Sequence, residues 1–259
     1  MVMLNILLQC AALLFCYMSC GFIIAQIKKD NSVADIFWGF GFVLIAWFTL
    51  FKSGQFFPRQ ILATALVTIW GARLSGYIIF RNWGKKEDPR YTQLAEKWGA
   101  SYFYLHSFFK VFMLQGLLLL IIVSSIIVIN SSDSGALGPL AVFATMLWLV
   151  GFFFESIGDW QLYQFIKKSE PHGKLMQSGL WSYTRHPNYF GEVLMWWAIW
   201  LITIPLPYWL IAIMSPLTIT GLLLFVSGVP MAEKQLEKNP DFANYKDRTS
   251  IFFPWPPKK

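Results

Sequence analysis

The stretch Leu4–Gln26, LNILLQCAALLFCYMSCGFIIAQ, contains no charged residue in 23 positions, and Lys28 and Lys29 follow at once. A helix of about 20 apolar residues spans the hydrocarbon core of a bilayer, and no soluble element needs a run that long. A basic n-region is missing and the apolar run is too long for a signal peptide, so the stretch reads as a retained first membrane helix. Cys10, Cys16 and Cys20 all fall inside it, without CxxC spacing and with no histidine near. They read as small apolar residues of that helix, not as a metal site or a disulfide framework.

The rest of the chain repeats the pattern. Of 259 residues, 56% are hydrophobic and 14% charged, against about a quarter charged in a soluble domain. Further apolar runs fall at Ala34–Phe51, Ile61–Phe80, Phe108–Ile129, Ala136–Gly158, Tyr189–Ile204 and Tyr208–Val229, the fifth continuing as helix to about Lys168. Pro205-Leu206-Pro207 makes a tight break between the last two, because proline ends helices. With the N-terminus outside, eighteen of the 21 Lys and Arg residues lie in inner segments, Lys52 and Arg59 lie outside, and Arg73 lies within the third helix. That asymmetry obeys the positive-inside rule and predicts seven helices with a cytoplasmic C-terminus. The fold class is therefore all-α and polytopic: one membrane domain over residues 1–259, in the cell (inner) membrane if the source is bacterial. The net charge of +7 suits loops facing anionic lipid. No cluster of basic residues interleaved with aromatics points to nucleic acid.

Charged residues within spans are costly and point to function. Asp35, Arg73, Glu155, Asp159 and Glu192 all fall in the inner half of the predicted bilayer, which suggests one polar cavity open to the cytoplasm. Glu155 and Asp159, at i and i+4, share a helix face. The outer half reads as mostly apolar scaffold. Trp38, Trp70 and Trp196 lie within a few residues of these charges and are candidates to wall a flat apolar ligand, alongside Arg73. Without a repeat, and with few polar residues in the outer half, a transporter is disfavoured.

The densest motif is Ser178-Gly-Leu-Trp-Ser-Tyr-Thr-Arg-His-Pro-Asn-Tyr-Phe-Gly-Glu192. Ser178-Gly179 predicts a turn, and Pro187 suits the first turn of the sixth helix. Arg185, His186 and Asn188 beside a helix N-terminus could hold a phosphate or carboxylate. They could equally cap the helix and meet lipid phosphate.

The Arg-His-Pro-Asn-Tyr-x-Gly-Glu core resembles the C-terminal half of membrane steroid 5α-reductases (3-oxo-5α-steroid 4-dehydrogenases) and related sterol reductases. Asp159 and Asn188 match the spacing of that family's pair, and Glu233, Tyr245, Arg248 and the terminal Phe-Phe-Pro-Trp-Pro resemble its tail. Trp70-Gly-Ala-Arg73 and Arg81-Asn82 resemble its third helix and following loop, and Asp35 falls near its steroid-binding carboxylate. The likeness is strong from Asp159 onward and weaker before Arg73. The resemblance implies an NADPH-dependent oxidoreductase acting on a CH–CH group, the Δ4 bond of a 3-oxo-Δ4 steroid or similar enone taken from the bilayer, working as a monomer. By position, Arg81, Asn82, Asp159, Lys174, Tyr183, Arg185, His186, Asn188, Tyr189, Tyr245 and Arg248 would contact the cofactor. Residues 159–259 with loop 81–107 would form the cofactor-binding part. Asp35 and Glu192 are the candidates to polarise the carbonyl; no metal is implied. Two positions depart from the pattern: Trp70 stands in place of a third-helix tyrosine, and Ala34-Asp35 in place of Gln-Glu. The Arg-His-Pro-x-Tyr-x-Gly motif also resembles integral membrane methyltransferases of the isoprenylcysteine and phospholipid type, which bind S-adenosylmethionine. Asn188, Asp159 and the number of basic residues favour the reductase.

Overall fold

A computed structural model of the chain describes residues 2–99, 102–132, 136–168 and 174–258. The regular elements among the described residues are all helical, with no strand and one isolated parallel bridge, Thr184 to Ser250. Part of the predicted inner loop before Asn188 and the basic Lys259 lie outside the described residues. Six helical stretches are long and apolar enough to cross a membrane: Met3–Lys28, Val33–Ser53, Pro58–Asn82, Phe103–Ile122, Pro139–Lys168 and Trp209–Leu236. The predicted sixth span is helix Pro187–Thr203, of 17 residues. The chain divides into two compact units, 1–137 with 203–214, and 138–202 with 215–259.

The first unit carries α1 (Val2–Lys28), α2 (Val33–Ser53), α3 (Pro58–Asn82), α4 (Pro89–Trp98), α5 (Phe103–His106), α6 (Leu114–Ile122) and α7 (Ser124–Asn130). A π-helical segment, Ser107–Met113, joins α5 to α6. The predicted fourth span is thus a helix with a π segment before it and a break at Val123 before α7. α2 and α3 pack closely at Gly39 and Gly71: a Cβ on Gly71 would stand 2.6 Å from the Gly39 carbonyl oxygen. Small residues let membrane helices approach to backbone contact, where packing replaces the missing hydrophobic drive.

The end of this unit near Arg59 is not the plain apolar scaffold that hydropathy suggests. Asn130 is fully buried and donates its Nδ2 to Ala46 O (3.0 Å), Thr49 Oγ1 (2.9 Å) and Thr64 Oγ1 (3.2 Å). Gln60, also fully buried, donates to Asn130 O and Ser132 O and accepts from the Phe57 N–H. One amide is averaged out among the apolar residues of a hydropathy window of about 19 positions, yet each buried one must find partners.

The second unit begins with α8 (Pro139–Lys168), continuous to Lys168 as predicted. A 3₁₀ turn at Gly179–Ser182 leads to α9 (Pro187–Thr203). The Thr203–Tyr208 turn, α10 (Trp209–Ala212) and Met214 return to the first unit. α11 (Met214–Gly221), a π segment Leu222–Val226, α12 (Val229–Leu236) and α13 (Phe242–Arg248) complete the chain. α8 and α9 touch at Gly151 and Gly191, where a Cβ on Gly151 would stand 2.6 Å from the Gly191 carbonyl oxygen.

Candidate functional site

In the second unit, Pro187 opens α9, as its missing N–H and fixed φ favour. Gly179 has φ +64°, the left-handed turn that the Ser-Gly pair predicts. Asn188 and Glu192 stand at i and i+4 on α9, and Glu155 and Asp159 at i and i+4 on α8, so each pair shares a face. Glu155 and Asp159 are buried, and Glu192 is half-buried. The two helices meet where Gly191 lies against Glu155: a Cβ on Gly191 would stand 2.5 Å from the Glu155 backbone nitrogen. Asn188 donates its Nδ2 to Asp159 Oδ1 at 3.1 Å. Its other amide atom, Oδ1, is sealed from solvent and has no hydrogen-bond partner among the described residues.

Arg185 and His186 are buried beside this pair, and both turn to Glu233 of α12. Arg185 Nη2 and Nε lie 2.7 and 2.8 Å from Glu233 Oε1, and His186 Nε2 lies 3.3 Å from the same oxygen. Arg185 Nη1 donates to the carbonyls of Thr249 (2.5 Å) and Lys246 (3.1 Å), and its N–H to Ser250 O (2.9 Å). The guanidinium is therefore neutralised from within the chain. It fastens the C-terminal segment to the start of α9. Tyr245 adds to the fastening by donating to Trp181 O at 2.6 Å, and burial pushes its hydroxyl up from the ordinary range. Trp181 Nε1 donates to Gly158 O, which ties the turn to α8. Tyr189 stacks on His186 with ring centroids 5.3 Å apart. Lys174, Tyr183 and Arg248 are exposed, Arg248 donating to Lys258 O. Trp196 is buried in α9.

In the first unit, Asp35 meets α4. Its Oδ2 accepts from Arg90 Nη2 at 2.7 Å and its Oδ1 from the Tyr91 hydroxyl at 2.6 Å. Burial pushes Tyr91 well above its ordinary range, and the charge and hydrogen bond of Asp35 push the same way. Asp88 caps α4 by accepting from the Arg90 N–H. Burial works to raise its carboxyl, but the hydrogen bonds and charge of Arg90 outweigh that and hold it below the ordinary value. The segment is anchored further by Asn31 N–H to Glu87 Oε1 (2.7 Å) and Asp88 N–H to Ser32 Oγ (2.8 Å). On α3, Arg73 and Arg81 both lie over the Tyr77 ring, 5.4 and 5.6 Å from its centroid, and Arg81 Nε donates to Asn82 Oδ1. Trp38 packs edge-on against Phe42, and Phe42 against Trp70, so two of the predicted tryptophans belong to one aromatic run.

The structure thus gathers Asp159, Arg185, His186, Asn188, Tyr189, Glu192 and Tyr245 in the second unit. It gathers Asp35, Trp38, Trp70, Arg73, Arg81 and Asn82 in the first. Sequence reasoning placed Arg90 in a loop and Glu233 in a tail, without partners for either. Asp88-Pro89 is a legible helix start, but nothing local says which carboxylate Arg90 will meet.

Residues 21–249 match the family model described as "Protein of unknown function (DUF1295)". The chain belongs to that family. It is similar to the uncharacterized protein C594.04c of Schizosaccharomyces pombe, 27% identical over 228 residues, covering 76% of this chain. The chain spans 63% of that relative's length. No solved structure gives a significant match to this DUF1295 chain.

Proposed function

We propose that this chain is a seven-helix membrane reductase, N-terminus outside and C-terminus cytoplasmic, that reduces the Δ4 bond of a 3-oxo-Δ4 steroid or similar enone lipid with NADPH. The resemblance over Trp181–Glu192 supports the class. The observation that carries the reading is the Asp159–Asn188 pair, with Asn188 Oδ1 shielded and unpartnered. Asp159 fixes the amide so that Oδ1 faces away from it, and a sealed acceptor of that kind is costly until an N–H reaches it. The carboxamide of a nicotinamide supplies such an N–H. The nearby acids Glu155 and Asp159 oppose a phosphate, so the ring end of the cofactor belongs here. The phosphates belong on the exposed cations of the same unit, Lys174 and Arg248, with the exposed Tyr183. Arg185, His186, Tyr189 and Tyr245 position that face by holding the C-terminal segment against the start of α9.

When bound, NADPH supplies a hydride for the β-carbon of the enone. Negative charge then develops on the carbonyl oxygen, and a proton from solvent at the α-carbon completes the reduction. An acid aimed at that oxygen stabilises the transition state. Glu192, one turn beyond Asn188 on the same face, is the candidate for that role. Asp35, with both oxygens accepting hydrogen bonds, serves better to hold α4 in place. In the first unit, Phe42 and Trp70 are fully buried against each other, so this aromatic run is packing and not an open ligand wall.

One observation favours a second reading. Buried acids also suit a sulfonium, and an S-adenosylmethionine-dependent methyltransferase would use them so. The full chain in detergent, titrated with NADPH and with S-adenosylmethionine and followed by thermal shift, separates the two. The reductase requires stabilisation by NADPH, weakened about tenfold by Asn188→Ala, the worth of one buried hydrogen bond. With a panel of 3-oxo-Δ4 steroids, Glu192→Gln should cut turnover while NADPH binding survives. Asp35→Asn is the companion variant; full turnover in both removes the acid role. Stabilisation by S-adenosylmethionine alone sinks the reductase.

A further inference from the structure

The second unit holds an open groove of about 430 Å³ between the end of α8 and the segment leading to the 3₁₀ turn. Gln161, Gln164, Phe165 and Lys168 line it from the helix, with Trp160 at its edge and Gly179 opposite. At about 100° per residue, these four helix residues lie roughly 140–240° around α8 from Asp159. The groove is therefore on the far side of the helix from the candidate cofactor pair. It continues the exposed apolar stripe of α8: Met146, Val150, Phe153 and Trp160 lie on the same side, each about half exposed. Ten residues separate Val150 from Trp160, about 15 Å of helix and half of a hydrocarbon core of about 30 Å. A tryptophan at that depth marks the boundary between acyl chain and headgroup.

The groove lies just past that boundary. Among the described residues its lining contains one ammonium group and two amides, and no carboxylate. Gln161 Oε1 accepts from the Leu180 N–H at 3.0 Å, which turns its NH₂ over Gly179. A Cβ at Gly179 would stand 2.5 Å from Gln161 Nε2, so glycine keeps this wall of the groove clear.

From these positions we propose that the groove seats the phosphodiester of one inner-leaflet anionic phospholipid, its acyl chain lying along Met146, Val150 and Phe153. Lys168 meets the phosphate charge, Gln164 and Gln161 donate to its oxygens, and Trp160 packs at the glycerol level. The site uses none of the residues of the reductase reading, and only its leaflet rests on the topology proposed there.

Native mass spectrometry of the delipidated full chain tests this with three additives: phosphatidylglycerol, diacylglycerol without a phosphate, and glycerophosphoglycerol without chains. The expected result is one retained phosphatidylglycerol. Its binding falls about tenfold in Gln164→Ala/Lys168→Gln, the scale of one charge-assisted contact, and falls separately in Trp160→Ala. The other two additives are not retained. All these side chains are at least partly exposed, and unchanged melting temperatures show that the variants fold. Equal retention by wild type and both variants overturns the proposal. So does equal retention of diacylglycerol, which means chain packing only, or of glycerophosphoglycerol, which means a free phosphate site.

Discussion

Removing the charge of Glu233 exposes how the C-terminal segment is held. The Arg185 and Glu233 side chains are 4% and 11% exposed and meet at 2.7 Å. The small value of surface ion pairs, about 0–1 kcal/mol, therefore does not apply. Glu233→Gln keeps the shape and one acceptor but leaves a guanidinium buried among the carbonyls of Lys246 and Thr249 without a counter-charge. Breaking one side of a buried pair costs about 3–5 kcal/mol. At about 2–4 °C per kcal/mol for a chain of this size, melting of the detergent-solubilised protein, followed by tryptophan fluorescence, should fall by at least about 6 °C. The same variant should speed proteolysis after residue 248, since Arg185 is the clasp of that segment. Arg185→Met combined with Glu233→Leu removes both charges and should recover most of the loss, because a buried pair replaced by apolar groups is often neutral. A Glu233→Gln melt within about 2 °C of wild type, under 1 kcal/mol on the same scale, would refute the reasoning. So would a double variant no better than the single one.

Two further outcomes follow from the packing and the loop network. Gly191→Ala should destabilise by about 1–3 kcal/mol through overpacking, because its methyl meets the backbone of Gly151 and Glu155. Gly76→Ala, with nothing within 4 Å of its Cβ, should be neutral or stabilising by up to about 1 kcal/mol; equal melting losses in both would show that the contact is not tight. Asp88 is held below its ordinary value in the folded chain. Its contribution is thus complete above the ordinary aspartate range, about 3.9, and is lost as pH falls through the lower folded value. Asp88→Asn should flatten the acid limb of a melting-temperature series below about pH 4, and an unchanged limb counts against the assignment.

The membrane-helical class was legible because it rests on the length and polarity of single segments: each span must satisfy its own backbone and face lipid by itself. The Pro187 start of α9, the Ser178-Gly179 turn and the run of α8 to Lys168 follow from local chemistry in the same way. The shared faces of Glu155 with Asp159 and of Asn188 with Glu192 follow from helical periodicity. The Asp159–Asn188 bond was anticipated as a spacing and is present as a contact.

Pairings between distant segments were not legible. Arg185 reads as an exposed anion ligand from its neighbours, yet Glu233, 48 residues away, neutralises it. Nothing near Asp35 in the sequence names its partner, and the position of α4 supplies Arg90. Asn130 and Gln60 are averaged into the apolar runs beside them, and only the packing of α2, α3 and α7 shows them as a buried network. The sequence alone therefore determined what each segment is and which side chains share its faces, since those depend on local geometry. Tertiary structure decided which charge meets which, because a buried ion or amide takes its partner from wherever the fold brings one within about 3 Å.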